Sequence, residues 1–175
     1  MTNESRNELD IDELAIELHP GSVPVSFLSS LLRVLQVTLR EVARTDENTR
    51  QPFGRRPQPV LLLSSLATDT GLSIQVTFGT PTKSAPLREL STQAFDAFLD
   101  RFSEFVKGLP QPGLWGGAAR RPAPGHFESE LDRRMDQLYR ELRRSSKATL
   151  RFQNRTIEIE GEDKPALICE WITQI

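Results

Sequence analysis

The sequence predicts a single α+β domain in which two hairpins and an N-terminal strand form a largely antiparallel sheet packed with three helices. Three observations carry this reading. Two pairs of short apolar runs each bracket a tight turn, and three longer runs repeat their apolar residues at helical spacing. No strand–helix unit recurs, which argues against a doubly wound sheet. The order along the chain is β-α-β-β-α-α-β-β, with one further element near the C-terminus whose type the pattern leaves open.

Taken in order, residues 1–10 are polar, charged and without an apolar period, and are expected to form a disordered tail ahead of a domain spanning 11–175. Glu13–His19 alternates Leu14, Ile16 and Leu18 against Ala15, Glu17 and His19, the pattern of a half-buried strand. Val25–Arg44 is the longest helical run, with Leu28, Leu31, Leu32, Leu35, Leu39 and Val42 on one sector and Phe27 and Val34 beside it. So wide a sector marks a helix covered by other elements. Ser22 is placed to cap it, Pro24 suits a first turn, and the polar run Thr45–Asn48 stops it.

Residues 49–59 hold three prolines and a glycine and are read as a mobile loop. Val60–Leu66 and Leu72–Phe78 flank Asp69-Thr70-Gly71 and make the first hairpin, with Leu72, Ile74, Val76 and Phe78 on its core face. Ser91–Lys107 places Phe95, Phe98, Leu99, Phe102, Phe105 and Val106 on one helical stripe, and Gly108 and Pro110 end it. That stripe reads as core rather than as a ligand pocket. Residues 108–125 carry five glycines and four prolines, so a second mobile loop is expected there. A third helix is expected over Phe127–Lys147, with Leu131, Met135, Leu138 and Leu142 inward. The second hairpin pairs Leu150–Phe152 with Thr156–Glu160, turning near Asn154. In Ala166–Ile172, Pro165 suits a helix start, yet Leu167, Cys169 and Trp171 also alternate as a strand; the apolar residues around Trp171 suggest core.

The chemistry is bounded mainly by exclusion. Cys169 is the sole cysteine, so no internal disulfide or cysteine metal cluster can form, and it sits in an apolar run where a thiol is normally inert. His19 and His126 cannot supply a zinc ligand set, Ser64 and Ser65 lack the glycines of a nucleophile elbow, and no phosphate-binding glycine loop is present. Glu158, Glu160, Glu162 and Lys164 bear a faint likeness to a carboxylate–metal nuclease set. Glu158 and Glu160 alternate with Ile157 and Ile159, however, and so read more simply as the wet face of a strand. The expectation is therefore a protein that is not an enzyme and has no catalytic residue, no metal, no cofactor and no small-molecule ligand. The longest apolar stretch is interrupted by Arg33 and Arg40, and the N-terminus is acidic, so a cytoplasmic location away from membranes is expected.

Binding is the remaining class. Trp115 lies in the glycine-rich loop beside Leu114 and ahead of Arg120 and Arg121, and tryptophan and arginine are favoured interface anchors. These four residues are the candidate contact with another protein, in the role of an accessory subunit of a larger assembly. An edge strand could also pair between copies as a homo-oligomer. The alternative partner is nucleic acid. Net charge is −2 overall but +5 over residues 111–155, and Arg133, Arg140, Arg144 and Lys147 fall roughly along one side of the expected third helix. Acidic residues interleaved with them, among them Asp132, Asp136 and Glu141, favour a solvated, locally paired face instead.

Overall fold

The computed structural model describes residues 12–19, 23–47, 49, 58–68, 71–82, 86–109, 129–161 and 168–173. The N-terminal tail at 1–10, most of the 49–59 loop and all but Gly108 and Leu109 of the 108–125 loop lie outside these.

Alternation makes Leu14–His19 the strand β1, and the sheet grows outward from it on both sides. The other strands are β2 (Val60–Ala67), β3 (Leu72–Gly79), β4 (Lys147–Phe152), β5 (Arg155–Glu160) and β6 (Ile168–Ile172). They form one six-stranded sheet in the order β2-β3-β1-β4-β5-β6, with every neighbouring pair antiparallel. The expected hairpins are β2–β3 and β4–β5, and β1 joins them through Ile16↔Ile74 on one side and Ile16↔Leu150 on the other. Residues directly opposite in an antiparallel pair share a face. One face therefore carries Leu14, Ile16, Leu18, Leu72, Ile74, Val76, Ala148, Leu150, Ile157 and Ile159, all buried.

That face is covered by α1 (Val25–Thr45), α2 (Arg88–Lys107) and α3 (Glu130–Leu142). In α1 the apolar sector resolves into buried Phe27, Leu31, Leu35, Leu39 and Val42, with Leu28, Leu32 and Val34 half-buried at its margins. The buried Thr38 fits this apolar seam because its hydroxyl donates to the Val34 carbonyl at 2.8 Å and lies 3.4 Å from the Arg134 carbonyl of α3. Pro24 occupies the cap position of α1 with φ −58° and makes no side-chain cap; Ser22 lies outside the described residues. The phenylalanines of α2 bind the layers together. Phe95 stacks on Phe78 of β3 at 5.7 Å and meets Phe152 of β4 edge-on at 5.6 Å, while Phe102 reaches Tyr139 of α3 at 6.5 Å.

Three expectations are corrected. The third helix ends at Leu142, not Lys147. The Ser145 hydroxyl donates to the Leu142 carbonyl at 2.7 Å, and the Ser146 N–H donates to the His19 carbonyl at 2.8 Å, so the chain leaves the helix to enter β4 beside β1. The second helix begins at Arg88 rather than Ser91, whose hydroxyl is buried and receives the Phe78 N–H at 2.9 Å. The C-terminal element is a strand, and Trp171 is 43 % exposed rather than core. Its register sets it opposite Thr156, on the face of the sheet without helices.

One glycine is required by a close approach. A Cβ built on Gly71, between β2 and β3, would sit 2.8 Å from both the Leu18 carbonyl oxygen and the His19 ring. The backbone oxygen cannot swing aside, so Gly71→Ala should destabilise the fold by about 1–3 kcal/mol. Urea denaturation would register this as a lower midpoint at unchanged slope.

Candidate functional site

The face of the sheet opposite the helices is polar, and its surface is built strand by strand. Glu17 of β1 pairs in register with Thr149 of β4, which in turn lies opposite Glu158 of β5. One step along, Ala15, Arg151, Thr156 and Trp171 form a second row; on the other side His19, Lys147 and Glu160 form a third. A shallow groove of about 390 Å³ runs over these rows, lined by Glu17, His19, Lys147, Arg151 and Glu158 among others, with Trp171 and Thr173 of the β6 segment as its far wall.

The charges of the groove are matched across strands. Arg151 reaches Glu17 at 3.1 Å, and Lys147 forms an ion pair with Glu158. Thr149 and Thr156 at its floor are only 7 % and 6 % exposed. Such a face has polar atoms and one broad aromatic side chain to offer, and no strong net charge. A set of three or more His, Cys, Asp or Glu side chains able to hold a metal is absent among the described residues.

The candidate nucleic-acid residues are not brought onto one face. Arg133 and Arg140 stay on α3, Arg144 follows its end, and Lys147 opens β4 and points to the open face. Each has an acidic partner. Arg133 meets Glu130 at 2.6 Å, Arg140 meets Asp136 at 2.8 Å, Arg144 meets Glu141 at 3.1 Å and Lys147 meets Glu158. The hydrogen bond with Glu130 holds the Arg133 guanidinium above its ordinary pKa. Arg144 also lies over the Phe27 ring at 4.8 Å, and Arg143 donates to the Glu160 and Gly161 carbonyls at 3.3 and 3.2 Å. Leu114, Trp115, Arg120 and Arg121 lie outside the described residues. Near where their segment leaves α2 and enters α3, a second groove of about 440 Å³ has Phe105, Leu131 and Met135 on its walls, with Ser129 at the α3 end.

A further ionic cluster lies on the helix side of the sheet, at the β5–β6 end. Arg155 reaches Asp96 at 2.9 Å and Asp100 at 2.8 Å on α2, and Glu170 of β6 at 3.3 Å. Burial works against the Arg155 charge, but the three carboxylates outweigh it and its pKa is raised. Glu170 also accepts from the Ser103 hydroxyl at 2.5 Å and from Lys107 at 3.1 Å. The Ser103 hydrogen bond, aided by Lys107 and Arg155 against a smaller opposing effect of burial, lowers the Glu170 pKa below the ordinary carboxylate value. A carboxylate whose pKa falls on folding stabilises the protein above its unfolded pKa and loses that contribution as pH drops to the folded one. Stability should therefore fall more steeply in acid for the wild type than for Glu170→Gln, and thermal melts below the ordinary carboxylate range would show the difference.

Trp171 was the site residue hardest to see in sequence. Its place in the alternation of Leu167, Cys169 and Trp171 is visible, but the face it occupies depends on pairing with β5. No protein-family model matches this chain, and neither a curated protein nor a solved structure does.

Proposed function

We propose that this chain is a non-catalytic, cytoplasmic protein-binding domain, an accessory subunit that receives its partner on the open face of the sheet. The observation that carries the reading is the groove bounded by Trp171, with its charges already matched by Glu17–Arg151 and Lys147–Glu158. A protein surface meets matched, hydrogen-bonding ground of this kind without leaving a charge unpaired, and a partly exposed tryptophan is a favoured anchor at such contacts. A phosphate backbone would have to compete with a carboxylate at each of Arg133, Arg140, Arg144 and Lys147, which weighs against the nucleic-acid alternative. Among the described residues no helix is long and apolar enough to cross a membrane. The loop residues Leu114, Trp115, Arg120 and Arg121 remain the proposed second contact.

The test is affinity capture from cell extract with four baits: the wild type, Trp171→Ala with Arg151→Glu, a deletion of 110–124, and Arg140→Ala with Arg144→Ala. Loss of the retained proteins with the first variant supports the groove, and loss only with the deletion transfers the interface to the loop. Retention unchanged in both would sink the protein-binding reading. Recovery of nucleic acid, lost with the double arginine variant and steeply salt-sensitive, would replace it with the alternative.

A further inference from the structure

β6 is one of the two edge strands of the sheet, β2 being the other. It has one neighbour, β5, across the five pairs from Arg155↔Ile172 to Ile159↔Ile168. Trp171 and Ile172 are 43 % and 61 % exposed, whereas Ile157 and Ile159 of β5 are fully buried. Among the described side chains of β6, Glu170 reaches inward, and its carboxylate is received by Ser103 at 2.5 Å, Lys107 at 3.1 Å and Arg155 at 3.3 Å.

The groups that receive Glu170 lie on other elements. Ser103 and Lys107 belong to α2, and Arg155 belongs to β5, where Asp96 and Asp100 hold its guanidinium at 2.9 and 2.8 Å. Removing β6 would leave the outer edge of β5 with its backbone groups unpaired. Beside that edge would stand the donors of Ser103, Lys107 and Arg155, with Asp96 and Asp100 still paired to Arg155. Charge-assisted hydrogen bonds of this kind are roughly twice as strong as neutral ones, so these donors would favour an acid over its amide.

We propose that the β5 edge, together with Ser103, Lys107 and Arg155, is a strand-docking site that β6 fills within the chain and that an extended acidic segment of a partner protein can fill in its place. The incoming segment pairs antiparallel with Arg155–Ile159 and sets one carboxylate between apolar neighbours, as Glu170 stands between Cys169 and Trp171. This goes beyond the reading of the open-face groove. Because Trp171 and Thr173 line that groove, exchange of β6 would also remove one of its walls.

Two measurements on the full chain test it. By hydrogen exchange with mass spectrometry, the amides of Ile168–Ile172 should exchange at least about tenfold faster than those of Ile157–Ile159, and Glu170→Gln should widen that gap by about tenfold or more, with β1, β3 and β4 unchanged. Glu170→Arg should expel β6 by repulsion from Arg155 and Lys107. A labelled synthetic peptide, Ile-Cys-Glu-Trp-Ile-Thr, should then bind this variant at least about tenfold more tightly than the same peptide with glutamine in place of glutamate. Exchange of β6 and β5 at one rate in both the wild type and Glu170→Gln overturns the proposal. So does a peptide that fails to bind, or binds equally with glutamate and glutamine, while β1 and β4 stay protected. Neither measurement involves an open-face partner, so its failure is distinct from failure of the groove reading.

Discussion

Phe95→Ala should lower the unfolding free energy by about 3–5 kcal/mol, the range for truncating a fully buried aromatic side chain. Phe95 has no exposed surface and lies at a junction of three elements, stacked on Phe78 at 5.7 Å and edge-on to Phe152 at 5.6 Å. Such aromatic pairs add about 0.5–1.5 kcal/mol each beyond burial, and the void left would be walled by strands that cannot collapse into it. Guanidinium denaturation followed by tryptophan fluorescence and by circular dichroism would measure the loss. Phe95→Leu should recover most of it. Phe105→Ala, on the same helix but half-buried, should cost distinctly less. Equal costs at 95 and 105 would contradict the described packing.

Leu35→Ala in α1 should cost about 2–5 kcal/mol, again from a fully buried position. The informative comparison is with Leu28→Ala. Both leucines belong to the same periodic series in the sequence, but Leu28 is half-buried at the margin of the helix contact. A loss at 28 clearly smaller than at 35 is the expected result of the same denaturation experiment. Leu31 and Leu39, both fully buried, should behave like Leu35. Together these positions test whether α1 is the scaffold on which α2 and α3 pack, independently of any binding role.

Most of the fold was legible because its signals are local. The alternation of Leu72, Ile74, Val76 and Phe78, and of Leu150, Phe152, Ile157 and Ile159, follows from a side-chain period of two, and all eight are buried as that period requires. The phenylalanine stripe of α2 followed from the helical period in the same way. The misread boundaries have nonlocal causes. The basic residues Arg143, Arg144 and Lys147 continue past Leu142 as if the helix went on, but Ser146 is claimed by the His19 carbonyl, more than a hundred residues earlier in the chain. Ser91 has the chemistry of a helix cap, yet its hydroxyl is drawn to the Phe78 N–H of the neighbouring strand.

The candidate sites were less legible. Arg133, Arg140, Arg144 and Lys147 form one basic series only while the helix is drawn to residue 147; once it ends at Leu142, Lys147 belongs to the other side of the sheet. The Asp136–Arg140 pair was readable from its spacing, whereas Lys147–Glu158 and Arg151–Glu17 required the strand register. Arg155 and Glu170 carried no sequence signal of their association, since Asp96, Ser103 and Lys107 reach them from a helix some fifty to seventy residues away in the chain.

By itself, then, the sequence determined which segments other than the C-terminal one are helices and strands, which of their faces are apolar, and the α+β class, because these depend on the spacing of side chains along a few turns or pleats. Only the tertiary structure decided the order β2-β3-β1-β4-β5-β6, the exposure of Trp171, and the meeting of Glu170 with Arg155. A shift of one residue in pairing moves every side chain of a strand to the opposite face. The register that prevents it is held by contacts between distant parts of the chain, and no local pattern encodes them.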